Sequence, residues 1–258
     1  MKAIIHSIKD MAAVDISIPL VFEGRQPNAF GASRATAEVL GDTGSGSSVN
    51  YASYTVTPHC NGTHTECIGH ITDERISVRE CLEDVLLAAA VVSVEPETNT
   101  GGDLVISRRT LEERIKSVAG SGDGTEAIVI RTLPNDASKL ERFYDTNSAV
   151  PYFAADAIQM LVDRGIRHLL VDLPSIDRMD DGGELAGHRI FWNVKAGSRK
   201  VDAQARIDST ITELIFVPNE IADGEYLLNL QIAPFEADAA PSRPVLLVST
   251  DSVLDRRL

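Results

Sequence analysis

The chain of 258 residues carries 24 basic and 38 acidic side chains, which gives a formal net charge of −14 at pH 7. This length allows one large domain or two small ones with a full apolar core. The acidic balance argues against a surface for nucleic acid or anionic membrane, because such surfaces need clustered Lys and Arg. We therefore expect neither of these partners.

The cysteines and the apolar segments indicate a compartment. Three cysteines, Cys60, Cys67 and Cys81, are an odd and small set for a disulfide framework, so we expect a reducing environment. The most apolar run, residues 85–94, is far shorter than the ~20 residues of a membrane-spanning helix. The first 17 residues do not have the pattern of a secretion signal. A cytoplasmic protein is the resulting prediction.

The first predicted elements are a loop, a helix and a strand. Residues 41–50 are rich in Gly and Ser and predict a surface loop that leads into a strand. Thr110, followed three residues later by Glu113, is typical of a capping box and predicts a short helix that ends near Val118. The apolar run at 127–131 predicts a strand buried on both faces.

A second helix and further strands follow. Pro151 and the helical spacing of the apolar residues after it predict a helix that Gly165 ends. The run at 169–172 predicts another buried strand. The last third predicts three strands, at 211–217, 226–232 and 245–250. This order indicates a mixed α/β fold, and the absence of a linker predicts a single domain over residues 1–258.

One segment concentrates residues that bind metals. Residues 57–73 read TPHCNGTHTECIGHITD, and three of the six histidines of the chain lie between His59 and His70 together with two cysteines and a glutamate. Imidazole, thiolate and carboxylate groups all supply lone pairs to a divalent cation. A polar surface hairpin with incidental histidines is the alternative. Outside this segment, His6 and His168 are expected to be structural.

Residue spacing makes the metal hypothesis more specific. In an extended segment, residues two apart share a face, so Cys60, His64 and Glu66 would point the same way. His59 would join them only through a one-residue bulge. Strand spacing therefore favours Cys60 over His59 as the first ligand, and the choice stays open.

The sequence GTHTECIGH resembles the signature of the cyclase family of metal-dependent hydrolases, which includes bacterial kynurenine formamidase and isatin hydrolase. The signature is His, any residue, Gly-Thr-His, any residue, Asp, three residues and His. Further similar stretches follow the family's order over nearly the whole chain. They lie at residues 15–19, 105–113, 126–132, 151–178 and 224–234.

The resemblance implies a site for one or two divalent ions, with zinc favoured over manganese. The implied ligands are His64, Glu66, His188 and Glu213, with Cys60 or His59 as the first. His70 matches the final histidine of the signature and is expected to move protons, with metal binding as the alternative. Two departures stand out, because Cys60 occupies the place of the first histidine and Glu66 the place of an aspartate. A thiolate would favour zinc.

The resemblance also implies supporting residues. Asp172 and Ser175 match a stretch whose polar groups are expected to orient metal ligands, as groups around a metal site commonly do. Phe22 and Phe30 flank a loop that approaches substrate in the family. They are therefore expected to line an aromatic-binding pocket or simply to pack.

The predicted activity follows from this site. A divalent metal acidifies water and polarises a carbonyl, so the expected reaction is hydrolysis of an amide, formamide or lactone-type bond in a small molecule, similar to that of an arylformamidase. The alternative is a non-catalytic metal- or ligand-binding domain that keeps the fold. From the resemblance we expect a swivelling β/β/α fold with a barrel-like sheet, and homodimers or homotetramers with exchanged N-terminal segments.

Overall fold

The strands of the protein form one large sheet and two small ones in a computed structural model, which describes residues 11–118, 124–145 and 148–249. His6 lies outside these residues. In chain order the strands are β1 Met11–Asp15, β2 Thr36–Gly41, β3 Tyr51–Thr55, β4 His64–Glu66, β5 Leu86–Val94, β6 Glu97–Thr98, β7 Leu104–Ile106, β8 Ala127–Thr132, β9 Tyr152–Phe153, β10 His168–Val171, β11 Thr210–Glu213, β12 Gly224–Ile232 and β13 Ala239–Ser249.

The helices are short, and all of them lie between strands. They are α1 Pro58–Asn61, α2 Val78–Cys81, α3 Arg108–Ser117, α4 Ala155–Asp163 and α5 Ala186–Trp192, with 3₁₀ turns at Thr43–Ser45, Ile68–His70 and Ala137–Leu140. Among the described residues, no helix combines the length and the apolar character needed to cross a bilayer.

The large sheet closes on itself. Its strands follow the order β13-β12-β5-β8-β10-β11-β4, and a further pairing of β4 with β13 completes the ring. The pairs between β5, β8, β10 and β11 are parallel, and the other pairs are antiparallel. β1 adds to the last five residues of β13. The expected mixed α/β fold with a barrel-like sheet is therefore confirmed.

Alternation along the central strands gives the sheet two apolar faces. On β8, Ala127 and Val129 belong to a core cluster enclosed by the sheet, whereas Ile128 and Ile130 pack in a second cluster with the helices. The helix side includes Trp192, which is fully buried. Helices on one face and a closed sheet on the other leave the strand ends free to carry polar side chains.

Both predicted helices exist, but they begin at other residues. Ser107 caps α3, since its hydroxyl accepts a hydrogen bond from the Thr110 N–H (3.2 Å), and Thr110 is already inside the helix. Pro151 does not start α4, because β9 occupies the next positions and the helix begins at Ala155. The start of α4 was missed because the pairing of β9 with β7 involves residues distant in the chain.

Strands β2 and β3 form a separate hairpin around the predicted loop. Among the described residues, the two strands pair only with each other. Large apolar side chains on this hairpin face solvent, with Val39 69% and Tyr54 60% exposed. The chain passes from the hairpin directly into α1, so the hairpin adjoins the segment rich in metal-binding residues.

Candidate metal centre

The segment before His64 is helical rather than extended, so the condition under which residues two apart would share a face is not met in its first part. Pro58 starts α1, as a first helical turn tolerates proline. The Asn61 side chain holds the turn, because its amide donates to Asn28 Oδ1 (2.6 Å) and its oxygen accepts from the Thr57 N–H (2.7 Å). Strand alternation therefore does not relate residue 60 to residue 64.

The helical turn decides which neighbour reaches the site. His59 places its ring 5.3 Å from the ring of His64, measured between centroids. Cys60 is buried, but its sulfur belongs to none of the potential ligand groups found among the described residues. The preference for Cys60 rested on an extended backbone that the chain does not adopt here, and the geometry favours His59.

Strand pairing brings two of the predicted ligands together. β4 and β11 are antiparallel, and His64 lies directly opposite Glu213. The distance from His64 Nε2 to Glu213 Oε2 is 3.5 Å. Both residues are less than 5% exposed, with His64 at 0% and Glu213 at 4%. Glu213, a charged residue in the otherwise uncharged strand β11, therefore points into the site and not towards water.

Glu66 lies at the centre of the arrangement. Its Oε1 is 3.0 Å from His188 Nε2, and its Oε2 is 2.9 Å from His59 Nδ1. His70 Nε2 lies 3.8 Å from the same Oε2. The two oxygens of one carboxylate thus serve two different groups of ligands. We call His59, His64, Glu66, His70, His188 and Glu213 the histidine–carboxylate cluster.

Asp177 positions His188. Its Oδ2 lies 2.6 Å from His188 Nδ1, and its Oδ1 accepts from the Gly187 N–H at 2.6 Å. A Cβ at Gly187 would lie 2.8 Å from that Oδ1, so the close approach of α5 needs glycine here. Because Nδ1 of His188 faces Asp177, the other ring nitrogen, Nε2, is directed at Glu66.

Two residues, Asp172 and Ser175, were expected to orient metal ligands. Only Ser175 contacts a residue that touches the cluster. Ser175 contacts Asp177, since its hydroxyl accepts from the Asp177 N–H (3.1 Å). Asp172 instead accepts from the Thr132 N–H and hydroxyl, and it pairs with Lys139. The motif identified the right stretch of chain, but Asp177 is the residue whose carboxylate touches a predicted ligand.

His70 faces the cluster from a 3₁₀ turn. The turn needs Gly69, because a Cβ there would lie 2.3 Å from the Ile76 carbonyl oxygen. Asp238 lies on the other side of the ring, with its Oδ2 3.4 Å from His70 Nδ1 and 3.0 Å from His59 Nε2. Asp238 was not predicted, and no local motif marks it, since only the pairing of β13 with β4 brings it here.

Charges within the cluster shift its pKa values in a pattern that fits cation binding. Burial raises the pKa of Glu213, and the charge of Glu66 raises it further. Burial also opposes the ionisation of Glu66, but the neighbouring histidines hold its pKa well below the ordinary value. Burial would lower the pKa of His59, yet hydrogen bonds to Asp238 and Glu66 raise it to about 10. The carboxylates therefore attract positive charge, supplied either by protons or by a metal ion.

The free atoms of the cluster match the needs of a metal. His64 Nδ1 lies 3.0 Å from the Gly62 carbonyl oxygen, while its buried Nε2 has no hydrogen-bond partner. Among the described residues, potential ligand atoms within 4.8 Å of one another occur in a group of His59, His70 and Asp238 and in two groups that share Glu66. The two groups that share Glu66 are His59, His64 and Glu66, and Glu66, His188 and Glu213. Imidazole and carboxylate are ordinary ligands of divalent metals, so these residues fit the ion that the fold implies.

A cleft of about 440 Å³ opens beside His70 and Asp238, between residues 69–76 and 236–238. The two aromatic residues predicted to contact substrate lie elsewhere. Phe22 packs on Tyr54 of the hairpin, with ring centroids 4.5 Å apart, and Phe30 is 47% exposed. A role of either ring in substrate binding stays a prediction.

The barrel and the histidine–carboxylate cluster together define a class of α/β protein with a candidate metal site on a closed sheet. The family model described as "Putative cyclase" matches residues 14–178. The chain belongs to this cyclase family.

Relatives and solved structures agree with this assignment. A kynurenine formamidase of Bacillus anthracis is 27% identical over 241 residues, which cover 90% of this chain and 96% of the relative. One of Bacillus cereus is 28% identical over 202 residues, 77% of this chain and 80% of the relative.

An isatin hydrolase bound to the product analogue thioisatinate has the same fold, with a TM-score of 0.66 and 14% identity over 96% of this chain and 97% of that chain. A predicted metal-dependent hydrolase from Bacillus stearothermophilus matches with a TM-score of 0.63 and 16% identity over 92% of this chain and 98% of that one. These solved structures show that the chain has the same fold as proteins titled isatin hydrolase and predicted metal-dependent hydrolase.

Proposed function

We propose that this chain hydrolyses the carbonyl–nitrogen bond of a small amide or formamide, with lactone-type esters as related substrates. One observation carries the proposal: the buried carboxylate of Glu66 lies between two groups of potential metal ligands, one of which includes a buried His64 Nε2 that makes no hydrogen bond. The names of two similar proteins add support, since one is a kynurenine formamidase and the other an isatin hydrolase.

The two groups of potential ligands would hold one or two divalent ions, and Glu66 belongs to both groups. His59 and His64 would complete one group, and His188 and Glu213 the other. We propose zinc, because imidazoles supply three of the five ligands, and without a thiolate the argument for zinc rests on them alone. A divalent cation bound here would polarise the substrate carbonyl and lower the pKa of a bound water towards neutrality.

His70 is the residue that we propose to move the proton. Its side chain is 29% exposed and borders the cleft, and its Nε2 points to the same Glu66 oxygen as the ring of His59. His70 takes a proton from the attacking water as the carbon–oxygen bond forms. It then gives that proton to the nitrogen as the carbon–nitrogen bond breaks, a task suited to an imidazole.

The non-catalytic alternative gains no support from the structure. It drew on two departures from the family signature, Cys60 and Glu66. His59 lies 2.9 Å from Glu66, which supports it as the first ligand in place of Cys60, and Glu66 still reaches both groups of potential ligands. The departures therefore alter the identity of the ligands without removing the site.

The test combines metal analysis with a substrate screen. Purified protein should contain at least one zinc or manganese ion per chain and should hydrolyse a member of a panel that includes formylkynurenine, isatin and simple lactones. His70→Ala should keep its metal and lose hydrolysis. The absence of stoichiometric divalent metal, or full activity of His70→Ala, would contradict the proposal.

We further propose that the protein is a homodimer or homotetramer in the cytoplasm. Exposed apolar residues of the β2–β3 hairpin, such as Val39 and Tyr54, support a partner that covers this sheet. The three free cysteines support a reducing compartment. Light scattering should give a multiple of 27.9 kDa for the wild type. The variant Val39→Lys/Tyr54→Lys should give a smaller mass, and an unchanged mass would exclude this face.

A further inference from the structure

We propose that Asp238 is a positioning residue that fixes the proton positions of His59 and His70, so that one ring can bind metal and the other can accept a proton. This inference rests on the proposed function of the histidine–carboxylate cluster. It starts from a single atom, because Oδ2 of Asp238 contacts both rings.

The fold holds Asp238 at this point from both sides. The carbonyl oxygen of Asp238 accepts from the Cys67 N–H (3.0 Å), immediately after Glu66. The next residue of β13, Ala239, lies opposite Glu66 in the sheet. On the other side, the carbonyl oxygen of Ala237 accepts from the Val78 N–H (2.8 Å). A carboxylate anchored by its own backbone can orient other groups without much rearrangement.

For His59, the position of the proton decides whether the ring can bind metal. Its Nε2 faces Asp238 at 3.0 Å, and its Nδ1 faces Glu66 at 2.9 Å. A neutral imidazole carries one N–H. With that hydrogen donated to Asp238, the lone pair of Nδ1 is directed to the group that contains Glu66 and His64. Asp238 therefore selects the form of His59 that can bind metal.

For His70, the same oxygen selects the opposite form. Nδ1 of His70 faces Asp238 at 3.4 Å, and Nε2 faces Glu66 at 3.8 Å. A proton donated from Nδ1 to Asp238 leaves the lone pair on Nε2, where a water in the cluster would be deprotonated. The rings of His59 and His70 lie 4.3 Å apart, so one carboxylate oxygen can reach both.

The role of Asp238 is tested with Asp238→Ala and Asp238→Glu. Asp15→Asn is the matched control, since Asp15 is 39% exposed at the side chain against 41% for Asp238 and lies on β1, which also pairs with β13. Asp238→Ala should weaken zinc binding by about 10- to 100-fold. It should lower kcat by about 10²- to 10⁴-fold with little change in KM. Asp238→Glu should restore part of both losses, and Asp15→Asn should change neither.

Nitrogen-15 NMR of the histidine rings gives a readout that does not depend on activity. In the zinc-loaded wild type, His59 should carry its hydrogen on Nε2 and His70 on Nδ1. In Asp238→Ala, His70 should lose its preference for Nδ1. Wild-type kcat in Asp238→Ala, or a wild-type His70 protonated on Nε2, would overturn the proposal, and so would a loss of zinc affinity without a loss of kcat.

Failure of the proposed function is distinguishable from failure of this inference. A wild type that hydrolyses none of the substrates would contradict the hydrolase, while the ring protonation and the zinc affinity would still support or overturn the role of Asp238. A wild type that binds no divalent metal would contradict the metal site on which both proposals rest, whereas a zinc-loaded Asp238→Ala variant in which His70 keeps the ring protonation of the wild type would contradict only the role of Asp238.

Discussion

Two fully buried carboxylates of this protein have opposite surroundings. Asp172 is 1% exposed and has a fixed cation, since Lys139 Nζ lies 2.7 Å from its Oδ2. Thr132 adds hydrogen bonds to both Asp172 oxygens, each at 2.9 Å. Glu66 is also 1% exposed, but its neighbours are histidines, which can lose their charge, and the second carboxylate of Glu213.

The difference separates a structural charge from a binding site. A buried charge is costly unless partners compensate it. Around Asp172 the compensation is built into the fold, because Lys139 pairs with it and Thr132 supplies two further donors, although burial still raises the pKa of its carboxyl. Around Glu66 the compensation is incomplete without a proton or a cation. The second arrangement is the one that leaves a place for a ligand.

The largest expected effect breaks the cluster at its centre. Glu66→Gln removes the negative charge shared by the two ligand groups, so we expect loss of bound metal and a fall in hydrolysis of about 10³-fold. Elemental analysis and kcat/KM measure the two effects. Glu225→Gln, an exposed change on β12, is the control. Retention of metal and activity by Glu66→Gln would show that Glu66 is not the shared ligand.

Removing the charge of Asp172 should lower the stability of the fold and leave metal binding intact. Asp172→Asn leaves Lys139 buried beside a neutral side chain, so we expect a loss of about 3–5 kcal/mol in the free energy of unfolding. Metal content should stay unchanged. Urea unfolding and elemental analysis are the measurements. The double change Lys139→Met/Asp172→Leu should cost less than the sum of the single changes, and loss of metal from folded Asp172→Asn would erase the distinction between the two regions.

Two buried histidines extend the comparison to pH. His188 has carboxylate partners, and although burial opposes it, Asp177 and Glu66 raise its pKa well above the usual value. His168 pairs with the Thr210 hydroxyl, and burial followed by the charge of Arg167 lowers its pKa to about 4.

The sign of the His168 effect follows from its folded and unfolded forms. Below about pH 6.5 the unfolded chain binds this proton and the folded chain does not, so stability falls as the pH drops towards 4. His168 contributes a loss of about 2 kcal/mol between pH 7 and pH 5. His168→Gln should lack this part of the slope in urea unfolding with a chelator present. Identical slopes in both proteins would mean that His168 does not titrate as proposed.

The smallest expected effect concerns the group that orients His188. Asp177→Asn keeps the shape of the side chain but weakens the charged acceptor at Nδ1, so we expect metal affinity to fall by about 10- to 100-fold. Competition with a coloured chelator measures this change. Ser175→Ala, which touches only the backbone N–H of Asp177, should have a smaller effect. Equal effects of the two changes would assign the role to the loop as a whole.

Sequence patterns predicted the parts of this protein that depend on neighbours in the chain. The apolar runs located β8 and β10, and the signature located His64, Glu66 and His70. The same patterns failed where distant segments decide. The helical turn that selects His59 over Cys60 is held by Asn28, and a residue so far away leaves no mark on the local spacing.

Asp238 and Asp172 show the same limit from two directions. Asp238 enters the site only because β13 pairs with β4, and the sequence around it has no metal-binding pattern. Asp172 lies in the stretch of chain whose resemblance to the family predicted a role in orienting metal ligands. It pairs instead with Lys139 of the 3₁₀ turn at Ala137–Leu140. Spacing identifies which residue types are available, whereas the three-dimensional pairing decides which of them meet.

The short strand β4 connects the candidate site to the closure of the barrel. With three residues it joins β11 on one side and β13 on the other, so it is the narrow seam at which the barrel closes. His64 and Glu66 lie on the seam, and Glu213 and Asp238 lie on or beside the strands that it joins. An ion held by His64, Glu66 and Glu213 would also link β4 to β11. Metal binding would then stabilise the pairing of β4 with its neighbours. We expect the β4 amides to exchange hydrogen more slowly when metal is bound.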